Sequence, residues 1–279
     1  MKISVIDPIG FCAGVRRAVN MFYDILSKHE ERPIHVLHEL VHNRSVSEKM
    51  RGDGALFVEQ ISQVPDGGVV LLGAHGCGLD VERECRERHL ITYDAVCPLV
   101  KQLQQTAARQ RPEIPLILLG DKDHPEVKSV VNRAGSREVH VIGGADELPP
   151  PMKEALFLSQ TTRNAAEVEA VRQKLAERIG NLESRAHVCD AVLLRQKAVE
   201  RLSRECELMI IIGSMHSSNA RRLLEIASGI TTAYMVETAR DIRDEWLQGV
   251  QHVGIGAGTS TPDWDITQVR EALEAKYSK

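Results

Sequence analysis

A strand–helix pattern that recurs three times, each time closing on a cysteine, constrains this chain more than any other feature. Apolar runs at 91–96 and 185–188 end at Cys97 and Cys189, and the run at 2–6 leads through Asp7-Pro8-Ile9-Gly10-Phe11 into Cys12. A helix-like segment follows each cysteine, and then a strand with polar residues just past its end. Those strands are 33–40 leading to His42-Asn43, 116–119 leading to His124-Pro125-Glu126, and 208–212 leading to Ser217-Ser218-Asn219. Third strands follow at 56–59, 139–144 and 234–237. A fourth runs into a turn of small or hydroxyl residues: 69–72 into Gly73-Ala74-His75-Gly76, 156–158 into Ser159-Gln160-Thr161-Thr162, and 253–255 into Gly256-Ala257-Gly258-Thr259-Ser260. The N-terminal strand then completes the third copy. Internal repetition decides the architecture before any single element does.

Apolar residues at three- and four-residue spacing predict helices over 14–28, 99–109 and 191–205, with further helices at 79–89, 163–179, 220–228 and 267–279. Strands alternating with such helices imply an α/β fold with mostly parallel sheet. The expected organisation is three similar small α/β modules in a pseudo-threefold arrangement: 13–97, 98–188, and 189–279 completed by the N-terminal strand 1–12. The three prolines within 147–151 mark a surface turn inside the second module, not a linker.

Ligand groups in open α/β sheets gather beyond the carboxyl ends of strands. Three equivalent strand ends, each presenting one thiolate there, suit an iron–sulfur cluster better than disulfides, which consume cysteines in pairs. Three ligands in place of the usual four thiolates leave one iron open for substrate. The six cysteines form no C-x-x-C pair and are far apart, which argues against a secreted disulfide scaffold. The N-terminal apolar run is too short for a secretory leader and no 18-residue apolar stretch suggests a membrane span, so a cytoplasmic protein is expected. A net charge of −4, scattered lysine and arginine, and few aromatics exclude a phosphate-tracking stripe or base-stacking surface, and with it a nucleic-acid partner.

Each candidate residue has a plainer alternative. Cys12, Cys97 and Cys189 lie where a strand gives way to a helix start, which favours thiolate, although free cysteines are among the most buried residues. Cys85 and Cys206 fall inside helix-like segments and read as packing residues, while Cys77, after His75-Gly76, has no counterpart in the other copies. His38-Glu39-Leu40-Val41-His42 spells H-E-x-x-H, but that zinc chemistry needs a helix, and the residues before it alternate like a strand. His42, His75, His124, Ser217, Asn219 and Ser260 stand at corresponding strand ends, where they offer hydrogen bonds beside helix N-termini able to hold an anion. Ser and Asn there also cap helices without any ligand. No P-loop is present and Gly254-Ile255-Gly256-Ala257-Gly258 lacks full dinucleotide spacing, so a small phosphorylated substrate fits better. Glu126 is the best general acid, though the helix dipole alone favours a carboxylate in a first turn. Thr161 and Thr162, in the matching turn of that module, could relay a proton or hold a hydroxyl. Arg195-Gln196 read as structural.

In order along the chain, Gly10-Phe11-Cys12-Ala13-Gly14-Val15, His38-Glu39-Leu40-Val41-His42-Asn43, Ala74-His75-Gly76, Cys97-Pro98, His124-Pro125-Glu126-Val127, Gln160-Thr161-Thr162, Ser217-Ser218-Asn219 and Ser260-Thr261-Pro262 resemble the motifs of the IspH (LytB) family, the 4-hydroxy-3-methylbut-2-enyl diphosphate reductases. The resemblance spans almost the whole chain. It implies a trefoil of three α/β modules around a [4Fe–4S] cluster held by Cys12, Cys97 and Cys189, whose fourth iron faces the substrate's allylic hydroxyl. It implies that His42, His75, His124, Ser217, Ser218, Asn219 and Ser260 bind substrate, chiefly its diphosphate, and that His124, Thr161 and Glu126 deliver protons near the hydroxyl. The implied reaction is a reductive dehydroxylation yielding isopentenyl and dimethylallyl diphosphates, the last step of the non-mevalonate isoprenoid pathway, with electrons from ferredoxin or flavodoxin.

Three positions depart from the family's pattern. Val192 stands three residues after Cys189 and Val96 stands before Cys97 where threonine is common, and Ser129 follows His124-Pro125-Glu126-Val127-Lys128 where glycine is usual. A methyl in place of a hydroxyl makes the pocket more apolar. The competing expectations are therefore a paralogue reducing another allylic substrate, and a cluster-based redox sensor that needs the cysteines but not Glu126. A zinc hydrolase built on the H-E-x-x-H is more distant.

Overall fold

The computed structural model describes residues 2–30, 32–109 and 111–277. In chain order the elements are β1 (Lys2–Val5), α1 (Ala13–Lys28), β2 (Ile34–Leu37), α2 (Arg44–Gly52), β3 (Ala55–Val58), β4 (Val69–Leu72), α3 (Leu79–Glu87), β5 (Ile91–Asp94), α4 (Pro98–Arg109), β6 (Leu116–Leu119), α5 (Pro125–Arg133) and β7 (Val139–Ile142). They continue with β8 (Met152–Ser159), α6 (Ala165–Ala176), β9 (Ile179–Ser184), α7 (Asp190–Ser203), β10 (Leu208–Ile212), α8 (Ser218–Ser228), β11 (Thr232–Val236), β12 (His252–Ala257) and α9 (Asp263–Tyr277).

Every pairing between these strands is parallel. The sheet orders are β3-β2-β4-β5, β7-β6-β8-β9 and β1-β12-β10-β11. Read from its other edge, the last sheet has the same sequence of roles as the first two, with β1 in the place of the strand that leads to a cysteine. The α/β class, the parallel sheets and the repetition all match the expectation.

The chain divides into two compact units. One comprises Met1–Arg16, Val41–Lys49 and Asp190–Lys279 and holds the sheet of β1, β12, β10 and β11. The other comprises Arg17–Leu40 and Met50–Cys189 and holds the other two sheets.

Central strands are continuous apolar runs because a parallel strand with helices on both faces has no solvated side. Leu116-Ile117-Leu118-Leu119 and Leu208-Met209-Ile210-Ile211-Ile212 are buried at every position. Successive side chains point to opposite faces, and β10 separates its two cores accordingly. Leu208, Ile210 and Ile212 pack with Val269 and Leu273 of α9, whereas Met209 and Ile211 pack with Val199 and Leu202 of α7 and Leu223 of α8. In the other unit Leu116 and Leu118 pack with Leu103 and Ala107 of α4 and Val127 and Val130 of α5. That core packs α4 and α5 against β6 and β8.

The structure differs from the sequence-based boundaries in several places. The strand expected at 185–188 is instead β9, Ile179–Ser184, so the helix expected to reach 179 ends at Ala176. Gly180, Asn181 and Glu183 weaken the strand signal, but an edge strand tolerates them. The eight-residue β8 pairs with β9 from Met152–Ile179 to Phe157–Ser184, and the Arg185 amide closes the ladder on the Phe157 carbonyl. Cys206 lies in the turn after α7, not in a helix. α9 begins four residues early at Asp263, since Pro262 and two first-turn aspartates favour a helix start; the last two residues of its expected span, Ser278-Lys279, lie outside the described residues. The H-E-x-x-H segment is not helical: His38 ends its strand at φ 56°, and Glu39 to His42 form a bend. A zinc-protease face is thereby ruled out.

Leu118→Ala deletes a fully buried side chain of a central strand and is expected to cost about 2–5 kcal/mol. A fall in the urea midpoint of the unit's unfolding checks it, and an unchanged midpoint contradicts this account of the core.

Candidate active site

One backbone hydrogen bond recurs at Cys12, Cys97 and Cys189. The Cys12 amide donates to the Thr259 carbonyl at 3.1 Å, the Cys97 amide to Ala74 at 3.0 Å, and the Cys189 amide to Thr161 at 2.9 Å. Each acceptor stands two residues past the end of a fourth strand, β12, β4 and β8. Strand pairing carried one step beyond the sheet thus fixes each cysteine beside the turn that holds Ser260, His75 or Thr161–Thr162. Each cysteine also precedes a helix: the Arg16 amide donates to the Cys12 carbonyl, the Lys101 amide to the Cys97 carbonyl, and α7 begins at Asp190. The Val15 amide approaches Cys12 Sγ at 3.4 Å, as an N-terminal turn offers a thiolate.

Exposure separates the cysteines into two sets. Cys12, Cys97 and Cys189 are half-buried, whereas Cys77, Cys85 and Cys206 are buried. Burial pushes the Cys77 thiol up to about 12 and raises Cys85 and Cys206 as well. Cys77 and Cys85 sit in the core under β4, and Cys206 in the core under α7. They are packing residues.

In the unit of two sheets, α5 and the turn after β8 build an acid. His124 caps α5, its Nδ1 accepting the Glu126 amide at 3.1 Å, and Pro125 occupies the first helical position. A neutral His124 therefore carries its proton on Nε2. Glu126 is 2% exposed. Its Oε1 accepts the Thr161 amide at 2.7 Å and its Oε2 lies 3.0 Å from Thr161 Oγ1. Burial raises its pKa to about 7, against the two Thr161 hydrogen bonds, which pull it down. Because Oε1 is committed to an N–H donor, a proton on this carboxyl belongs on Oε2, facing the Thr161 hydroxyl. The His75 and His124 rings meet edge to face with centroids 5.4 Å apart.

The single-sheet unit supplies hydroxyls and amides. Ser217 caps α8, its Oγ accepting the Ala220 amide at 3.4 Å. Asn219 is 2% exposed, yet neither its Oδ1 nor its Nδ2 has a hydrogen-bond partner among the described residues. An orphaned buried amide costs free energy unless a ligand satisfies it. Ser260 Oγ donates to the His42 carbonyl at 3.2 Å, so it fixes the His42 backbone while keeping its oxygen as an acceptor. A brace supports the same turn: Asn43 Oδ1 accepts the Val46 amide, Ser45 Oγ donates to Asp265 Oδ1, and Trp264 Nε1 donates to Ser45 Oγ, each at 2.9 Å. Asp265 is buried, and that burial raises its pKa against the hydrogen bonds from Ser45 and Asn43.

Two arginines carry more of the site than the sequence pattern suggests. Arg195, on α7, donates through Nη2 to the Gly10 carbonyl at 2.7 Å, pinning the turn before Cys12. Gly10 has φ +80°, and a Cβ there would lie 2.3 Å from Asp263 Oδ1, so only glycine fits that turn. Arg17, on α1, donates to the Val96 and Asp94 carbonyls, both at 3.1 Å, and holds the turn before Cys97. Each follows a cysteine by five or six residues in the sequence. That spacing was the available signal. Val192 and Val96 are both buried, so methyl groups fill the positions where threonine is common.

Comparison with known proteins matches residues 3–274 to the family model described as LytB protein. The chain is 35% identical to a 4-hydroxy-3-methylbut-2-enyl diphosphate reductase of Pectobacterium carotovorum, covering 100% of this chain and 91% of that protein. It is 36% identical to the reductase of the same name from Escherichia coli O9:H4, covering 98% and 90%. Among solved structures, the E-1-hydroxy-2-methyl-but-2-enyl-4-diphosphate reductase of Plasmodium falciparum is similar at a TM-score of 0.89 and 29% identity, over 98% of this chain and 87% of that one. A second structure, of (E)-4-hydroxy-3-methyl-but-2-enyl diphosphate reductase, the terminal enzyme of the non-mevalonate pathway, matches at a TM-score of 0.70 and 31% identity, over 99% and 100%.

Thr161→Val removes the hydroxyl that holds the Glu126 pKa down, while the Thr161 amide stays. The Glu126 midpoint is expected to rise above its value of about 7. Infrared titration of the carboxyl band reads this directly, and a midpoint that stays put or falls contradicts the pairing.

Proposed function

This chain belongs to the LytB family, and on that premise we propose that it reduces 4-hydroxy-3-methylbut-2-enyl diphosphate to isopentenyl and dimethylallyl diphosphates. Two electrons and two protons enter, the allylic C–O bond breaks, a C–H bond forms, and water leaves. The observation that carries this reading is the Glu126–Thr161 pair: a buried carboxyl with a pKa of about 7 and a single hydroxyl to which it can pass its proton. A redox sensor has no use for such an acid.

The donor set fits a [4Fe–4S] cluster on Cys12, Cys97 and Cys189. These three are half-buried and stand before helices, whereas the remaining thiols are buried in cores. When bound, the cluster would pass the two electrons one at a time from the external donor and would supply Lewis acidity at an iron that no cysteine holds. The chain's own residues do the rest. Glu126 stores the proton on Oε2 and delivers it through Thr161 Oγ1 to the leaving oxygen, a general-acid role suited to a pKa near the working pH. His124, its Nδ1 engaged, presents an Nε2–H donor to substrate. His42, His75, Ser217, Ser218, Asn219 and Ser260 hold the diphosphate, whose oxygens accept from Asn219 Nδ2 at the start of α8.

The same reading keeps the three-module division at 13–97, 98–188 and 189–279 completed by 1–12, a cytoplasmic location, and ferredoxin or flavodoxin as electron donor. Among the described residues no helix is long and apolar enough to cross a membrane. A second reading, a paralogue acting on another allylic compound, is favoured by one observation: Val192 is 2% exposed in the first turn of α7, leaving a methyl where a hydroxyl is common.

The deciding experiment is anaerobic turnover of 4-hydroxy-3-methylbut-2-enyl diphosphate by cluster-loaded protein with a strong chemical reductant. Both isoprenoid diphosphates are expected; an intact cluster with no product moves the function to the paralogue. With turnover in hand, the rate should fall as pH rises through about 7, where Glu126 loses its proton. Glu126→Gln should keep the cluster and lose turnover by about 10²–10⁴-fold, and a fully active variant removes the acid from the mechanism. Iron analysis separates the thiols: Cys97→Ser should lose the cluster, while Cys77→Ser should retain it.

A further inference from the structure

Ser129 and Gln104 form a buried hydrogen-bonded pair that nothing in the proposed chemistry uses. Both are 3% exposed. Gln104 Nε2 donates to Ser129 Oγ at 2.9 Å, and Ser129 Oγ donates to the Glu126 carbonyl at 2.7 Å, with the His75 carbonyl at 3.4 Å as a second acceptor. Gln104 lies on α4, two turns after Cys97, and Ser129 lies on α5, one turn after Glu126. The His75 turn rests on the pair. Gly76 has φ +82°, and a Cβ built on it would lie 2.3 Å from Gln104 Nε2 and 3.2 Å from Ser129 Oγ. The backbone of that turn is therefore seated directly against the two polar groups. The Cys97 amide meanwhile holds the Ala74 carbonyl one residue earlier.

We propose that the Ser129–Gln104 pair is a positioning device that sets the His75 turn against His124 and Glu126, and so sets the affinity of the site for the substrate's diphosphate. The inference rests on the reading that His75 holds that diphosphate. It gives a physical role to Ser129, which stands where the family's pattern usually has glycine. A hydroxyl at this place needs buried partners; the Glu126 carbonyl accepts its proton and Gln104 Nε2 donates to its oxygen. The His75 carbonyl approaches the same oxygen, so the turn is tied to α5 through one atom. Removing Ser129 Oγ leaves Gln104 Nε2 without this acceptor, removing Gln104 leaves Ser129 Oγ without its donor, and either change takes away part of the seat of the turn.

The test uses the cluster-loaded full chain with Ser129→Ala, Gln104→Met and the double variant. Three readouts are taken: calorimetric binding of inorganic diphosphate, kcat and KM for substrate, and amide hydrogen exchange of the peptide covering 73–77. Each single variant is expected to weaken diphosphate binding and raise KM about fivefold, the scale of one net hydrogen bond. The expected kcat and its pH midpoint are unchanged, and exchange quickens at 73–77 but not along α5. The double variant should be no worse than either single one, because the two side chains act as a unit. Unchanged binding and exchange overturn the proposal. So does uniform loosening of α4 and α5 with kcat and iron content falling together, which marks the pair as packing alone. A wild-type protein that turns over no substrate and binds no inorganic diphosphate overturns the functional reading, and with it the anion role given to the pair.

Discussion

The amides of Cys12, Cys97 and Cys189 are each bonded to a carbonyl two residues past the end of a fourth strand, and the rest of the site depends on that link. A strand ends where its ladder ends, and beyond it the chain is normally free to wander. Here one more backbone bond ties two adjacent strand ends together, so a thiol and a polar turn leave the sheet side by side. The bond uses no side chain, and it therefore survives the very different residues that follow its acceptor: Ser260 in one copy, His75 in another, Thr162 in the third. Repeated backbone geometry with unrepeated side chains sets one cysteine beside a different polar turn in each copy.

Glu126 shows two effects in opposition. Desolvation favours its neutral form, while the Thr161 amide and hydroxyl favour its charged form, and burial prevails so that the pKa rests at about 7. Had the carboxyl been exposed, it would be ionised throughout the neutral range and unable to serve as an acid. Had it been buried without Thr161, it would hold its proton too firmly to give it up. Its support comes from neighbours in the same chain segment: His124 caps the helix that carries Glu126, and Ser129 satisfies the Glu126 carbonyl one turn on.

Much of this was legible in the sequence. The central strands are unbroken apolar runs, and their parallel, doubly covered state follows from that. The Cys–helix junctions, the His124-Pro125-Glu126 helix start and the glycine turns are local signals with local causes. The boundaries that failed did so where no local signal exists. β9 is an edge strand of mixed polarity whose extent is set by the length of β8, and the separation between α6 and β9 could not be read from a run that changes period without changing composition. The roles of Arg195 and Arg17 are not legible locally, because the carbonyls they bind lie 185 and 79 residues away in the sequence.

The sequence by itself determined the class of fold, the recurrence of the module and the residue types that could do chemistry, since periodicity and turn chemistry act over a few residues. Tertiary structure alone decided which cysteines are half-open and which are sealed in cores, that Oε1 of Glu126 is committed to an amide while Oε2 faces a hydroxyl, and that the amide of Asn219 is left without a partner among the described residues. Those outcomes depend on desolvation and on hydrogen bonds between residues far apart in the chain, and neither exists until the sheets and helices have packed.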